Sequence, residues 1–393
     1  MAKRVKQSVK TTKSDQNDTL ADNILSALNK QFKDYPWAFE FLSNANLIKH
    51  WVSTGSDILN LNISNRPNGG LGYSSIVEFF GLPGTGKSLL AAHVLYETQK
   101  QDGIAVLFDT EGAVGTLEFY ESIGLDSAKV IYSKNIRALE DVFAAMESII
   151  EKYIASDSDQ RMTIVVDSIM GATTNAELEA DYGIDGFATA KSKILSKAMR
   201  KLPGLIGNRN ILIVFINQLK ENLNAVGFGA EKYKTTGGTA ISFTSHVRLY
   251  LKKGKMIKIG GEEVGHELHV KTVKNRFGPK GKSTVLHVYY ESGIDNYGSW
   301  LKTLKDCNLI TGNAASYKYN VVDPETGELT EEKFTAKAFP KLLSDNPDLK
   351  AEMYDKLCEC LIMKYKVGEN FSFDEVELTD DLYIIIDRRI GIL

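Results

Sequence analysis

Short apolar runs alternate with stretches of helical length between residues 76 and 216. Five of these runs are predicted strands, at 76–80, 104–109, 130–132, 164–167 and 211–216. Each is followed by a segment long enough for a helix, and this alternation is typical of a parallel sheet wound with helices. Ligands of such sheets bind beyond the carboxyl ends of the strands, so residues that follow the runs are candidates for chemistry.

The pattern changes on the N-terminal side of this region. Residues 1–18 carry five basic side chains among polar residues and predict a disordered tail, either a solubilising terminus or a transient DNA contact. Apolar residues then recur at helical spacing behind Thr19 as a possible N-cap. They are Leu20, Ile24, Leu25, Leu28 and Phe32. We expect 19–50 to be a helical oligomerisation segment, although docking on its own core would also bury this face.

After Gly237 and Gly238 the pattern becomes β-rich. Strands joined by glycine turns are predicted at 246–252, 256–259, 267–273 and 284–290, and we expect them to extend the same sheet. Beyond Trp300 the chain is charged and helical, which predicts a small C-terminal domain over 301–393 after a core domain over 51–300. The predicted fold class is therefore α/β, a mainly parallel twisted sheet extended by antiparallel strands, with small attachments at both ends.

Composition excludes only a few classes of protein. The net charge of −3 argues against a protein that coats nucleic acid by overall charge, so any DNA site must be a local patch. Cys307, Cys358 and Cys360 are too few for a disulfide framework, which favours the reducing cytoplasm. No apolar run approaches the ~20 residues of a membrane span, so we predict no membrane association.

The first candidate for chemistry is a phosphate loop, GLPGTGKS at 81–88, which fits G-x-x-x-x-G-K-[ST] between a predicted strand and a predicted helix. The loop and the first residue after it are predicted to bind ATP. They are Gly81, Leu82, Pro83, Gly84, Thr85, Gly86, Lys87, Ser88 and Leu89. Glycines let backbone amides curl around phosphate oxygens, Lys87 reaches the terminal phosphates, and Ser88 ligates Mg²⁺. A chance glycine-rich turn is the alternative.

Polar side chains at the tips of three later strands complete this candidate site. Asp167 ends a buried run and is the predicted second Mg²⁺ ligand. Glu111 is the predicted general base for the attacking water, with a helix N-cap cluster as the alternative and Asp109 as a weaker base. Gln218 can sense the γ-phosphate through its amide, and the loop predicted at 219–236 behind it could couple ATP to a second ligand.

The order of these motifs over about residues 20–300 resembles the RecA family. The segments that carry the resemblance are VSTGS at 52–56, DTE at 109–111, VVDS at 165–168, AMRKL at 198–202, FINQ at 215–218, TTGG at 235–238, VRL at 247–249 and VKNR at 273–276. The segment DPETGE at 323–328, with EEK at 331–333 and AK at 336–337, is similar to phage UvsX-type recombinases. The resemblance implies a P-loop NTPase core of the RecA type.

The resemblance also implies roles for individual residues. Glu111, Lys87 and Gln218 match the family's catalytic set, and Phe119 falls where a ring stacks on adenine, with Tyr120 as the alternative. Lys274 and Arg276 match the basic pair that reaches ATP bound on the neighbouring subunit. Residues 179–187 and 220–236 match two DNA-binding loops. The DNA contacts it implies are Lys220, Phe228, Lys232, Lys234, Thr236, Gly237 and Gly238.

The function implied is that of an ATP- and Mg²⁺-dependent recombinase. Such a protein forms a homo-oligomeric helical filament on single-stranded DNA, pairs it with homologous double-stranded DNA and exchanges strands, aided by single-strand-binding and loading proteins. Two alternatives share the motifs: a hexameric DNA helicase, and an ATP-gated scaffold for single strands with little turnover.

Overall fold

A computed structural model describes residues 20–32, 48–112, 117–134, 136–180, 188–221, 233–235, 237–322 and 329–364. Contacts divide the chain into two units, Met1–Leu47 and Ile48–Leu393. In the first unit, helix α1 spans Leu20–Gln31 where the apolar spacing predicted a helix. The proposed cap Thr19 and the basic tail lie outside the described residues.

The second unit contains the other described helices and all of the described strands. Its helices are α2 (Asp57–Ser64), α3 (Lys87–Gln99), α4 (Leu117–Ile123), α5 (Leu139–Ala155), α6 (Asn175–Glu179), α7 (Ala188–Ile206), α8 (Ala240–Thr244), α9 (Asn296–Asp306), α10 (Phe339–Asp345) and α11 (Pro347–Leu361). Its strands are β1 (Trp51–Val52), β2 (Leu71–Gly72), β3 (Ser75–Gly81), β4 (Ile104–Asp109), β5 (Val130–Ser133), β6 (Met162–Asp167), β7 (Ile211–Glu221), β8 (Tyr233–Thr235), β9 (Val247–Ile259), β10 (Glu262–Asn275), β11 (Ser283–Tyr289), β12 (Gly293–Asp295), β13 (Ile310–Asn313), β14 (Ser316–Val322) and β15 (Leu329–Phe334).

Ten of the described strands form one sheet, in the order β12-β11-β10-β9-β3-β7-β6-β4-β5, with β8 paired to β7. The pairings from β9 through β3, β7, β6 and β4 to β5 are parallel. Those from β9 through β10 and β11 to β12 are antiparallel. The predicted α/β fold class is confirmed, and β3 to β7 are the five strands that the apolar runs predicted.

Helices cover both faces of the parallel part. Val77 of β3 packs with Leu90 of α3 in one apolar core. Ile76, one residue earlier, packs in a second core with Met146 of α5 and Leu202 of α7. Because both faces are buried, these strands read as continuous apolar runs rather than alternating ones. This burial fixes the strand ends that carry the site.

Two predictions about the later strands are wrong in detail. The runs 246–252 and 256–259 belong to one strand, β9, which continues through Gly254 rather than turning there. The predicted loop at 219–236 is shorter, because Leu219 and Lys220 continue β7 and pair with Thr235 and Lys234 of β8. In both cases an antiparallel neighbour, β10 for β9 and β8 for β7, supplies backbone hydrogen bonds that the local sequence does not predict.

The C-terminal part contains more than the predicted helices. Strands β13, β14 and β15 form a three-stranded antiparallel sheet, and Trp300 and Phe339 share a core there with Leu61 of α2. Although no disulfide framework was predicted, Cys307 and Cys360 form a disulfide because α9 and α11 pack together. The cysteines therefore no longer favour a reducing compartment. None of the helices in the described ranges has the length and apolar character that a membrane crossing requires.

Candidate nucleotide and DNA site

The phosphate loop connects β3 to α3 as the motif predicted. Gly84 and Gly86 have φ of +70° and +83°, the left-handed region that favours glycine. A Cβ on Gly81 would lie 2.3 Å from the carbonyl oxygen of Leu251, whereas one on Gly84 would meet nothing within 4 Å. The loop is therefore packed where it leaves the sheet and open at its turn, next to the N-terminus of a 13-residue helix. This is an arrangement suited to phosphate.

The Lys87 side chain folds back across the loop. Its Nζ donates to the carbonyl oxygens of Leu82 at 2.8 Å and Gly81 at 3.2 Å. Burial lowers the pKa of Lys87, and the carboxylates of Asp167 and Glu111 oppose that shift. The ammonium group thus sits between the loop and two of the predicted site carboxylates.

Asp167 and Ser88, the predicted Mg²⁺ ligands, lie next to each other. Asp167 ends β6, and its carboxylate is hydrogen bonded to the hydroxyl of Ser88 at the start of α3. Burial raises the pKa of Asp167 to about 6, while the Ser88 hydrogen bond opposes the shift. Hydroxyl and carboxylate oxygens beside a phosphate loop fit Mg²⁺, which usually takes few protein ligands together with substrate phosphates and water.

The structure brings the predicted base and the predicted sensor into contact. Gln218 lies opposite Gly81 in the β3–β7 register, so it is next to the phosphate loop. Its Nε2 donates to Oε1 of Glu111 at 2.9 Å. The hydroxyl of Ser168 donates to the same oxygen. Three strand ends therefore converge on Glu111, although the three residues lie far apart in the sequence.

Asp109 supports the turn that carries Glu111. Its Oδ1 accepts the backbone amides of Glu111 at 3.1 Å and Gly112 at 2.8 Å, and its side chain is buried. Ser168 and Asp109 were not predicted in these supporting roles. An Asp two residues before Glu111 is the signal that could have indicated such a turn, because Asp side chains commonly cap the amides that follow them.

The two candidates for adenine stacking differ in exposure. Tyr120 is 9% exposed and belongs to the apolar core. Phe119 is only partly buried and meets the ring of Tyr120 with centroids 5.1 Å apart. Phe119 therefore has the more accessible ring.

Lys274 and Arg276 lie away from the phosphate loop of their own subunit. Lys274 pairs with Arg248, whereas the loop residue Gly81 pairs with Leu251, which in turn pairs with Val270. Four residues of strand separate Val270 from Lys274, or about 13 Å. The Nζ of Lys274 instead donates to the carbonyl oxygens of Ser242 at 2.9 Å and Phe243 at 2.6 Å.

A buried charge pair lies between these two regions. Glu78 of β3 is fully buried, and it accepts hydrogen bonds from Nε of Arg248 at 2.5 Å and from Nδ2 of Asn217 at 2.9 Å. The sequence motifs gave no indication of this pair. Partners of this kind keep a charge tolerable inside a sheet.

Only part of the predicted DNA site falls within the described residues. Lys220 is exposed on β7, and the backbone of Lys234 pairs with it in β8. Gly237 and Gly238 have φ of +89° and +73°, so they form the turn that leads into α8. Phe228, Lys232, Thr236 and residues 181–187 lie outside the described residues.

A phosphate loop after a buried parallel strand, with carboxylates at the ends of the neighbouring strands, defines a P-loop ATPase. The family model of the RecA N-terminal domain matches residues 22–295. The chain is similar to Protein RecA of Anaplasma marginale (strain Florida), with 32% identity over 82% of this chain and 84% of that protein. It is also similar to Protein RecA of Clostridioides difficile (strain 630), with 32% identity over 78% of this chain and 82% of that protein, and of Cutibacterium acnes, with 30% identity over the same shares.

The chain therefore belongs to the RecA family. It is an ATP-dependent recombinase of DNA recombination and repair, and a DNA-dependent ATPase that uses Mg²⁺. Family membership implies binding of single- and double-stranded DNA and assembly into homo-oligomeric filaments. The finer resemblance to phage UvsX-type recombinases stays a prediction.

Proposed function

We propose that this chain binds ATP between neighbouring subunits of a head-to-tail filament on single-stranded DNA. The observation that carries the proposal is the location of Lys274 and Arg276, remote from the phosphate loop in their own sheet. In a head-to-tail arrangement, these cations would reach the triphosphate bound by the next subunit. Head-to-tail contacts that do not close into a ring give an open helix.

The residues of one subunit would divide the hydrolysis between them. Backbone amides of the phosphate loop and Lys87 would bind the phosphates, and Ser88 with Asp167 would hold Mg²⁺, which supplies positive charge to the site. Glu111 accepts a proton from the attacking water. When ATP binds, the Gln218 amide releases Glu111 and donates to the γ-phosphate instead. This change of partner shifts the end of β7 and the DNA loop that follows it. Hydrolysis then relaxes the filament and releases DNA.

DNA would lie along the loops that leave the ends of β6 and β7. Lys220, Lys232 and Lys234 would contact phosphates without sequence preference, and Phe228 would supply an aromatic contact to the strand. Homology is then read by base pairing with the incoming duplex rather than by side chains. We expect single-strand-binding and loading proteins as partners, and the cytoplasm as the compartment, that of the host if the protein is phage-encoded.

Electron microscopy with single-stranded DNA and a slowly hydrolysed ATP analogue tests the assembly. We expect open helical filaments from the wild type and few from a Lys274→Ala/Arg276→Ala variant that still binds the analogue. Closed rings that unwind forked duplex would indicate the helicase instead. Filaments without DNA-stimulated phosphate release would indicate the scaffold.

A Glu111→Gln variant tests the chemistry. Removing a general base should slow DNA-stimulated phosphate release by roughly 10²- to 10⁴-fold. Filaments formed with ATP should persist, because the phosphate loop and the Mg²⁺ ligands are unchanged. Phosphate release at the wild-type rate would contradict the role of Glu111.

A further inference from the structure

Tyr132 connects the edge of the large sheet to the candidate catalytic turn. It lies in the edge strand β5, opposite Leu107 in the β4–β5 register. Its hydroxyl donates to Oδ2 of Asp109 at 3.0 Å. Asp109 is two residues beyond Leu107, so the phenol reaches diagonally across to the neighbouring parallel strand.

The Asp109 carboxylate divides its two oxygens between this hydroxyl and the turn. Oδ1 accepts the amides of Glu111 and Gly112, while Oδ2 accepts the hydroxyl of Tyr132. A carboxylate that is only 3% exposed depends on such donors. The hydroxyl therefore helps to set the rotation of the carboxylate, and with it the position of the two amides.

The turn at Glu111 and Gly112 then sets the position of the Glu111 side chain. Its Oε1 accepts Gln218 at 2.9 Å and also the hydroxyl of Ser168. A continuous set of hydrogen bonds thus runs from Tyr132 through Asp109 to the candidate base and sensor.

The phenol can act as a donor over the whole neutral range. Desolvation and the Asp109 carboxylate raise the pKa of Tyr132 to about 12. It therefore keeps its proton where the protein works, even though its side chain is 42% exposed.

We propose that Tyr132 is a positioning residue for ATP hydrolysis: its hydroxyl orients Asp109, and through Asp109 the turn that aims Glu111 at the attacking water. The inference rests on the proposed role of Glu111. It adds a residue from the sheet edge, outside every motif that defines the phosphate site.

The Tyr132→Phe variant of the full chain removes only the hydroxyl. We expect kcat for single-stranded-DNA-stimulated phosphate release to fall about tenfold, since a small misplacement of a catalytic group is costly. The KM for ATP should stay within about twofold, because the phosphate loop and Lys87 do not contact this hydroxyl. Tyr319→Phe is the matched control, since the Tyr319 hydroxyl also donates to a carboxylate, that of Glu352 at 2.7 Å, in the C-terminal part. It should leave both constants unchanged.

A double-mutant comparison separates positioning from a general structural effect. In an Asp109→Ala background, which leaves the Tyr132 hydroxyl no side-chain acceptor at position 109, Tyr132→Phe should lower kcat by less than about twofold. Thermal unfolding checks that each variant is folded. The inference is overturned if Tyr132→Phe keeps the wild-type kcat, if Tyr319→Phe loses as much, or if the effects of Tyr132→Phe and Asp109→Ala simply multiply.

Glu111→Gln distinguishes this failure from failure of the proposed function. If Glu111→Gln is inactive while Tyr132→Phe is normal, only the positioning role is wrong. If Glu111→Gln hydrolyses ATP normally, the proposed base is wrong as well.

Discussion

Lys87 shows how single residues of the site depend on their surroundings. It is a buried cation whose pKa is lowered by burial, and the carbonyl oxygens of Leu82 and Gly81 accept its hydrogen bonds. The pKa of Asp167 shifts in the opposite direction, because burial raises the pKa of its carboxyl to about 6. Burial thus disfavours the charged form of each side chain, and in the proposed function a bound Mg²⁺-triphosphate would give both a partner of opposite charge.

Replacing Lys87 with alanine tests this dependence. A charge-assisted hydrogen bond contributes roughly 1.5–3 kcal/mol, so Lys87→Ala should weaken ATP binding by about 10- to 150-fold. We expect the variant to form no stable filaments on single-stranded DNA with ATP, as measured by electron microscopy. Normal strand exchange by this variant would contradict the proposed function.

At the scale of elements, helix α3 contacts two separate parts of the sheet. Its first residue, Lys87, belongs to the phosphate loop, and His93, six residues further on, accepts the backbone amide of Ile294 in β12 through Nε2 at 3.0 Å. A Cβ on Gly293 would lie 2.4 Å from that nitrogen, so the contact leaves no room for another residue type there. His93 must stay neutral to accept this hydrogen bond, and burial lowers its pKa to about 4.

This contact predicts a pH dependence of stability. The unfolded chain takes up a proton on His93 below about pH 6.5, while the folded chain does so only near pH 4. The free energy of unfolding should therefore fall as the pH drops from about 6.5 to about 4, by at most roughly 3 kcal/mol from this group. Urea unfolding of wild type and His93→Gln at pH 7, 5 and 4 measures it. The variant should show a smaller loss on acidification, and parallel losses in both proteins would disprove the assignment.

At the scale of the whole molecule, the phosphate loop and the pair Lys274 and Arg276 lie toward opposite ends of the strands, and the proposed function makes them two halves of one site. The phosphate loop follows the carboxyl end of β3, while Lys274 and Arg276 lie beside the start of β9, toward the amino end of β3. One subunit cannot bring these halves together within its own sheet. In the proposed filament, two copies stacked in the same orientation would do so.

Mixing two inactive variants tests this division. Lys87→Ala lacks a working loop, and Lys274→Ala/Arg276→Ala lacks the cations, so neither alone should hydrolyse ATP on DNA. In an equimolar mixture, about a quarter of the subunit junctions would join an intact loop to intact cations if the order is random. We expect phosphate release to reappear in the mixture. No recovery, with mixed filaments shown by labelled subunits, would exclude a shared site.

The sequence by itself determined the local features of this protein. The phosphate loop, the strands β3 to β6 and the helix α3 depend on contiguous residues, because periodicity and motif spacing act over a few turns of chain. Lys87 and Ser88 were named from the phosphate-loop motif, and Glu111, Asp167 and Gln218 were each named from a strand end. Their convergence followed from the parallel order of the strands.

Only the tertiary structure decided the contacts made between distant segments. The pairing of Leu219 with Thr235, the three-stranded C-terminal sheet, the Glu78–Arg248 pair and the hydroxyl of Tyr132 on Asp109 all join residues whose own neighbours give no sign of a partner. A hydrogen bond or ion pair is specified by distance and angle in space. The sequence states which groups can donate and accept, and the packing of the sheet selects which of them meet.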